Sequence, residues 1–437
     1  MRNILTGIIC GLWCSSFSPA AAQEDETASS EQQAQAAIET IQAALDTANS
    51  GRYLEALHML ESAQDVPDAF VASFTQGVGT YRAFVGDETG AIDAFRLLGY
   101  SEEEFDPEIL MHPLEARNAI DTIRAAATGH RVVMINEAHN VSRNRAFTTE
   151  LISALHEDGF TIFAAEGFHP ETASQMAEFG YPQHGMSAYI QDPFFAGMMR
   201  EAHRLGMTLA YYEEQPDQSC LPECSVTERA RGRELNQARN LAAVVEENPD
   251  ARIIVHVGYA HLAETENDDS TRLLMGAHFA RLTGLDPLTI DQFRGTSRVM
   301  PSHDQEMAFL SENYPVTEPT IYFEANGAPY KLADYADLTV IHPTLPDIYG
   351  RPGWIGMNGY RHPYQISSSE LPEVRPIVLM AHVESEPDEA IPIDQLIVEE
   401  ADTGPTTLML PFGRYRLSAQ QLDGPDIELG MIEVASE

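Results

Sequence analysis

The chain has 437 residues and a formal net charge of −41, from 67 acidic and 26 basic side chains. Such an acidic chain excludes nucleic acids and anionic membrane surfaces as expected partners, because binding to either needs clustered basic side chains. The length exceeds what one hydrophobic core usually supports, so several domains are expected.

Residues 1–22 have the pattern of a secretory signal peptide. Arg2 supplies the positive start, an apolar run covers 4–13, and the small residues 20–22 form a cleavage site. The apolar run is too short for a membrane span, and no other long apolar stretch follows it. We therefore expect an exported protein, periplasmic and without a membrane span.

Residues 23–35 are rich in Glu, Ser, Thr and Gln, which predicts a flexible linker. The apolar spacing then predicts helices throughout 36–127. Within this range, Gly51 and Gly86 begin the segments GRYLEAL and GDETGAIDAF, which are similar to the turn of a tetratricopeptide repeat and about 34 residues apart. This TPR-like region would be either a helical domain packed on the rest of the chain or a groove for a protein partner.

Residues 128–345 alternate between strand and helix patterns, which is typical of an α/β fold with a mostly parallel sheet and flanking helices. The predicted strands are the apolar runs 132–136, 161–166, 207–212, 252–257, 287–291 and 338–342. The predicted helices cover 145–157, 187–205, 226–246 and 269–283. Residues 346–437 begin with a Gly-, Pro- and aromatic-rich loop and continue in short alternating runs, which predict a small β-rich domain.

Two cysteines remain once the predicted signal peptide is removed. Cys220 and Cys224 are four positions apart in the segment SCLPECS. In an oxidising compartment this pair favours a disulfide, and half a zinc site or two free thiols are the alternatives.

Polar side chains follow three of the predicted strands. The segment Asn136-Glu137-Ala-His139 comes after the first strand, and Glu166 closes the second. His256 and His261 come at the end of the fourth, in the segment HVGYAH. Because parallel strands place their carboxyl ends at one edge of a sheet, where ligands bind, these side chains are expected to meet there. A carboxylate buried after an apolar run, such as Glu166, needs a proton, a cation or a metal beside it.

These segments resemble the pattern of the Tiki/TraB/ChaN/erythromycin-esterase superfamily. That pattern has a Gly-x-x-His element after the first strand, an acidic residue ending the next strand, and a second Gly-x-x-His element late in the domain. The resemblance covers about 128–345 and departs from the pattern at Asn136, where glycine is usual. It implies a site built from Glu137, His139, Glu166 and His261, with His256 as an associate. Members include metal-dependent proteases, enzymes that hydrolyse lactone esters and haem-binding proteins.

Two hydrolytic mechanisms fit these residues. In the first, a divalent ion such as Mn²⁺ or Zn²⁺ activates a water molecule. Its expected ligands are Glu137, His139, Glu166 and His261. In the second, no metal is bound, a histidine oriented by a carboxylate is the general base, and Arg145 stabilises the oxyanion. Both describe an exported hydrolase that acts on an ester or amide bond in a small molecule or peptide.

A haem- or metal-binding periplasmic protein without catalytic activity, similar to ChaN, is the alternative. Tyr211, Tyr212, Tyr259 and the aromatic loop 349–364 would then contact a planar ligand. Serine-hydrolase, dinucleotide and P-loop functions are disfavoured, because the sequence lacks their glycine-containing motifs. Lower-ranked site candidates are Glu213, Glu214 and one of Arg231, Arg233 and Arg239.

Overall fold

The computed structural model describes residues 24–98, 104–107, 113–187, 189–220, 224–264 and 273–435. The predicted signal peptide, 1–22, lies outside these ranges. The described chain begins with helix α1 (Glu24–Asn49), so the prediction of a flexible linker over 23–35 is wrong from Glu24 onward. Glu, Gln and Ala are frequent in this stretch, and their helix propensity outweighs the low hydrophobicity that suggested a linker.

Three more helices complete the N-terminal region: α2 (Tyr53–Glu61), α3 (Asp68–Phe84) and α4 (Glu88–Arg96). Gly51 and Gly86 lie in the turns between α1 and α2 and between α3 and α4. Their φ angles are 85° and 76°, a conformation that glycine adopts without strain. The glycine-containing segments therefore form turns between paired helices, but the structure does not establish a tetratricopeptide array.

Strand β1 (Glu115–Asn118) pairs antiparallel with β7 (Thr320–Phe323). The prediction of helices throughout 36–127 is wrong at β1. This strand is polar and largely exposed, so it forms because β7, which is buried, pairs with it. Helix α5 (Ala119–Ala127) follows, and its residues Ala119 and Ile123 are fully buried in the core of the α/β unit. The α/β unit therefore begins near residue 115, before the predicted boundary at 128.

Six strands form one sheet in which every neighbouring pair is parallel. They are β2 (Val132–Glu137), β3 (Phe160–Ala165), β4 (Thr208–Ala210), β5 (Arg252–Gly258), β6 (Leu288–Asp291) and β8 (Leu338–Thr339). Their order across the sheet is β4-β3-β5-β2-β6-β8. All six predicted strands are present, and the α/β class is confirmed.

Helices cover both faces of this sheet. They include α6 (Ser142–Glu157), α7 (Pro170–Phe179), α8 (Pro193–Arg204), α9 (Val226–Glu247), α10 (Met275–Thr283) and α11 (Asp304–Asn313). Val133 and Ile135 of β2 pack in the core with α6 and α8, whereas Val132 and Met134 pack with α9 and α10. Burial on both faces explains the continuous apolar run in this strand. No helix within the described ranges is both long enough and apolar enough to cross a membrane.

The C-terminal region is antiparallel and β-rich, as predicted. Its strands are β9 (His362–Ile366), β10 (Ile377–Val383), β11 (Asp394–Val398), β12 (Thr406–Leu410), β13 (Gly413–Gln421) and β14 (Ile427–Val434). They form two sheets, with orders β11-β10-β13-β14 and β12-β9. Val378 and Met380 of β10 join the core of the N-terminal helices, whereas Ile377 and Leu379 lie in the core of the β region. The N-terminal helices therefore pack on the C-terminal sheet.

Candidate active site

Three parallel strands end at the same edge of the sheet. Glu137, the last residue of β2, is in register with Gly258, the last residue of β5. Ala165 ends β3 in register with His256, and the amide of Glu166 donates to the carbonyl of His256 at 2.9 Å. The polar residues that follow these three strands therefore lie side by side at the carboxyl edge of the sheet, where open α/β sheets bind ligands.

Four N–H groups point at the carboxylate of Glu137, which is 1% exposed. Arg145 donates from Nε and Nη2 at 2.6 and 2.8 Å. Nδ1 of His139 lies 2.9 Å from Oε1, and Nε2 of His256 lies 2.8 Å from Oε2. Burial alone would raise the pKa of Glu137, but Arg145 and His256 outweigh it and hold the pKa well below its usual range. Glu137 is therefore a fixed anion that accepts hydrogen bonds.

This anion determines which nitrogen of His139 carries the proton. An ionised carboxylate can only accept, so the contact with Glu137 requires a proton on Nδ1 and leaves the lone pair of the neutral ring on Nε2. The ring is stacked on Tyr189, with centroids 4.2 Å apart and planes 21° apart, and it meets the edge of Tyr259 at 4.9 Å. The side chain keeps 14% of its surface exposed. A partly accessible imidazole in one fixed tautomer can act as a general base.

Glu166 lies beside Nε2 of His139. Its Oε1 accepts from Nη2 of Arg233 at 2.8 Å, and its Oε2 accepts from the amide of Gly258 at 2.6 Å. Burial alone would raise its pKa, but Arg233, His261 and His139 outweigh burial and lower the pKa to about 2. A Cβ on Gly258 would lie 2.7 Å from Nε2 of His139 and 2.8 Å from Oε2 of Glu166. The missing side chain at Gly258 therefore lets the base and the carboxylate approach the same point.

His261 forms an ion pair with Glu234 of helix α9, with Nδ1 and Oε1 2.7 Å apart. The other oxygen of Glu234 accepts from the amide of Met275 at 2.8 Å, which fixes the carboxylate. Burial alone would lower the pKa of His261, but the Glu234 and Glu166 carboxylates outweigh it and raise the pKa above its usual value. The imidazolium form of His261 therefore persists to higher pH than that of an ordinary histidine.

Asn136, which stands where the resemblance leads us to expect glycine, links three strand ends. Its Nδ2 donates to the carbonyl of Tyr259 at 2.8 Å and to Oδ1 of Asp291 at 2.7 Å, and its Oδ1 accepts from the amide of Gln292 at 2.8 Å. Tyr259 has a φ of 45°, which is uncommon for a residue other than glycine. The Asn136 amide therefore holds the strained turn that leads from Gly258 to His261.

Arg145 is not placed to stabilise an oxyanion, so that prediction is wrong. The side chain is 0% exposed. Besides Glu137, it donates from Nη2 to the carbonyl of His139 at 2.9 Å, and its Nη1 lies 2.9 Å from Oδ2 of Asp192. Because its charge is used on two carboxylates, Arg145 holds Glu137 in place. His256 is similarly enclosed, and its Nε2 contacts Glu137.

Of the three arginines on helix α9 that were candidates for the site, Arg233 is the one that contacts Glu166. Arg233 points into the site, where Nε donates to Oε1 of Glu213 at 2.9 Å in addition to the contact with Glu166. Glu213 therefore holds Arg233, whereas Glu214 accepts from Asn236 at 3.0 Å and supports the same loop.

The predicted metal ligands do not fit a divalent ion in this arrangement. Both oxygens of Glu137 and both of Glu166 already accept from N–H groups, and Arg145 and Arg233 neutralise these two carboxylates. Within the described ranges, no group of three or more His, Cys, Asp or Glu side chains could hold a metal ion. Cys220 and Cys224 form a disulfide, so half a zinc site at this pair is wrong.

Two of the aromatic residues considered for a planar ligand have other contacts. Tyr212 is fully buried, and its hydroxyl donates to the carbonyl of His256 at 2.9 Å. Trp354, from the loop 349–364, packs against Phe194 with centroids 4.9 Å apart and donates to Glu88 at 2.9 Å. The haem alternative therefore gains no support from these side chains.

Three residues of the site were not found from the sequence. Tyr189 and Asp192 come from the segment before α8, and Glu234 comes from α9. Asp192 carries a recognisable signal, because it precedes Pro193 and caps α8 by accepting from two backbone amides. Tyr189 and Glu234 have no such signal, since only the packing of the chain brings them to the sheet edge.

Comparison with known proteins shows only distant structural similarity. No family model matches the chain, and no curated protein matches it. Among solved structures, the type III effector HopBA1 is 14% identical with a TM-score of 0.31, covering 55% of this chain and 99% of that one. RRSP, a MARTX toxin effector domain from Vibrio vulnificus CMCP6, is 14% identical with a TM-score of 0.32, covering 63% and 66%. Similarities this low identify neither a family nor an activity for this chain.

Proposed function

We propose that this chain is an exported hydrolase that cleaves an ester or amide bond with His139 as the general base and without a bound metal. One observation carries the proposal: Nδ1 of His139 lies 2.9 Å from the buried Glu137 carboxylate, and Nε2 of the same ring approaches the same point as the Glu166 carboxylate. A carboxylate that orients a histidine is the arrangement by which many hydrolases activate water or a hydroxyl group.

The proposed reaction assigns a separate task to each charged group. A water molecule hydrogen-bonded to Glu166 attacks the carbonyl carbon and gives its proton to Nε2 of His139. As the tetrahedral intermediate collapses, the bond to the leaving group breaks and protonated His261 supplies the proton that this group needs. Solvent then removes the proton from His139 and returns one to His261. General-base assistance of this kind contributes about 10²–10⁴-fold to the rate.

His139→Ala and Glu166→Gln test this function directly. Each is expected to lower kcat on an ester or amide substrate by at least about 10²-fold. The free energy of unfolding should fall by only about 1 kcal/mol, because Arg233 keeps Glu213 as a partner and the His139 side chain is partly exposed. Kinetics on a panel of esters and peptides, together with urea unfolding, measure both quantities.

His130→Ala is the matched control, because His130 precedes β2 at the opposite edge of the sheet, where its Nδ1 lies 2.9 Å from the carbonyl oxygen of Asp286. This control should keep full activity. Activity that survives in His139→Ala would contradict the proposal. A haem Soret shift that His139→Ala abolishes, in a protein with no hydrolytic activity, would support the haem-binding alternative instead.

A further inference from the structure

Tyr189 forms one wall of the site without belonging to any of the three strand ends. It begins the short 3-10 turn Tyr189–Gln191 that precedes α8, and it is 7% exposed. Its ring stacks on His139, and its Cδ2 lies 3.2 Å from where a Cβ on Gly167 would be. The ring therefore fixes one face of the proposed base, a task that phenylalanine could perform equally well.

The hydroxyl of Tyr189 is unexplained by the fold. It is buried, and among the described residues it has no hydrogen-bond partner. A buried hydroxyl without a partner destabilises a protein, and most such groups in native structures are satisfied. Burial and the nearby Glu166 carboxylate raise the pKa of Tyr189 well above its usual value, so the group stays protonated and remains a donor.

Other contacts already hold the turn that carries Tyr189. Oε1 of Gln191 accepts from the hydroxyl of Tyr53 at 2.8 Å, and its Nε2 donates to Oδ1 of Asn49 at 3.2 Å. Asp192 accepts from the first amides of α8. The position of the turn therefore does not depend on the Tyr189 hydroxyl, which leaves this group available to a ligand.

We propose that the Tyr189 hydroxyl donates a hydrogen bond to the carbonyl oxygen of the bound ester or amide and stabilises the oxyanion, a role that rests on the proposed hydrolase function. When water attacks the carbonyl carbon, the π electron pair moves to this oxygen, and Tyr189 donates to it without giving up its proton. When the intermediate collapses, this electron pair re-forms the carbonyl π bond, and the leaving group departs with the electrons of the broken bond and takes its proton from His261. This assigns to Tyr189 the electrophilic role that the sequence suggested for Arg145, because the guanidinium of Arg145 is already paired with two carboxylates whereas the Tyr189 hydroxyl has no partner among the described residues.

Tyr189→Phe removes only the hydroxyl and tests this role. We expect kcat to fall by about 10²–10³-fold, as for the loss of one oxyanion donor, with little change in KM. Affinity for a phosphonate analogue of the tetrahedral intermediate should fall by a similar factor. The Tm should equal or exceed that of the parent protein, because no protein hydrogen bond is lost and an unpartnered buried group is removed.

Tyr415→Phe is the matched control in the C-terminal sheet. Its hydroxyl donates to the carbonyl of Pro411 at 2.9 Å, so this change should lower the Tm and leave kcat unaltered. A Tm loss in Tyr189→Phe like that of Tyr415→Phe would show a structural partner and overturn the inference. A second outcome would overturn only the role of Tyr189. In that outcome the parent protein is active, His139→Ala is inactive, and Tyr189→Phe has the same kcat as the parent. If the parent protein has no hydrolytic activity, both the proposed function and the role of Tyr189 are contradicted.

Discussion

At the scale of single residues, the site consists of charges that are arranged in pairs. Arg145 compensates Glu137, Arg233 compensates Glu166, and Glu234 compensates His261. Because burying an uncompensated charge is costly, these partners allow ionised carboxylates and an imidazolium to coexist in a largely enclosed space. In the proposed reaction Glu166 stays ionised, while His261 must carry its proton.

Glu234→Gln should move the alkaline limb of the pH–rate profile to lower pH. Glu234 raises the pKa of His261, so activity that needs protonated His261 persists below this raised pKa and is lost as pH rises through it. Without the negative charge, the limb should shift downward by about 1 pH unit or more, while glutamine can still accept from the amide of Met275. The measurement is kcat/KM as a function of pH.

Glu246→Gln is the control for this shift, because Glu246 is exposed on the same helix α9. It should leave the profile unchanged. If the alkaline limb of Glu234→Gln lies at the same pH as that of the parent protein, His261 is not the group whose protonation limits the rate.

The sequence predicted the residues of the site that directly follow strands. Glu137, His139, Glu166 and His261 follow apolar runs, and parallel strands share an edge, so their convergence could be expected from the pattern. Arg233 and Glu234 lie on a helix whose rotation against the sheet no local pattern specifies. The same holds for Arg145, since nothing in the sequence shows whether a guanidinium faces a substrate or two buried carboxylates.

At the scale of secondary-structure elements, the ends of β2, β5 and β6 are held together by one buried amide. Asn136→Ala should lower the free energy of unfolding by about 2–4 kcal/mol, because it leaves the Tyr259 carbonyl, Asp291 and the Gln292 amide without their partner. Chemical denaturation measures this loss. Asn313→Ala, at an exposed helix end, should cost less than about 1 kcal/mol. Equal losses in the two variants would contradict the role given to Asn136.

Buried strands were predicted best. A strand that is buried on both faces of the sheet needs apolar residues at every position, and such a continuous apolar run is visible in the sequence. The strand β2 was expected over 132–136 and is found at Val132–Glu137. The strand β1 could not be predicted, since its polar residues become a strand only by pairing with β7, some two hundred positions later. The first part of helix α1, from Glu24 to Gln35, was missed for the opposite reason, because its polar composition suggested a flexible linker where helix propensity prevails.

At the scale of the whole molecule, the regions on either side of the α/β unit contact it and each other. Tyr53 of the N-terminal helices holds Gln191 beside the site, and Arg200 of α8 forms an ion pair with Glu386 at 2.5 Å. Nε2 of Gln420 in β13 donates to the carbonyl of Gly51 at 2.8 Å. The turn that carries Tyr189 is therefore supported by the N-terminal helices, for which the sequence suggested either a helical domain packed on the rest of the chain or a groove for a protein partner.

The central claim is that the residues of this chain activate water without a metal. Hydrolysis by protein that has been stripped with a chelator and checked for metal content tests it most directly, with His139→Ala measured beside the parent. The paired arginines predict that the stripped parent keeps its full rate, that added Mn²⁺ or Zn²⁺ does not increase it, and that His139→Ala stays inactive. A rate that disappears on stripping and returns with either ion would contradict the account.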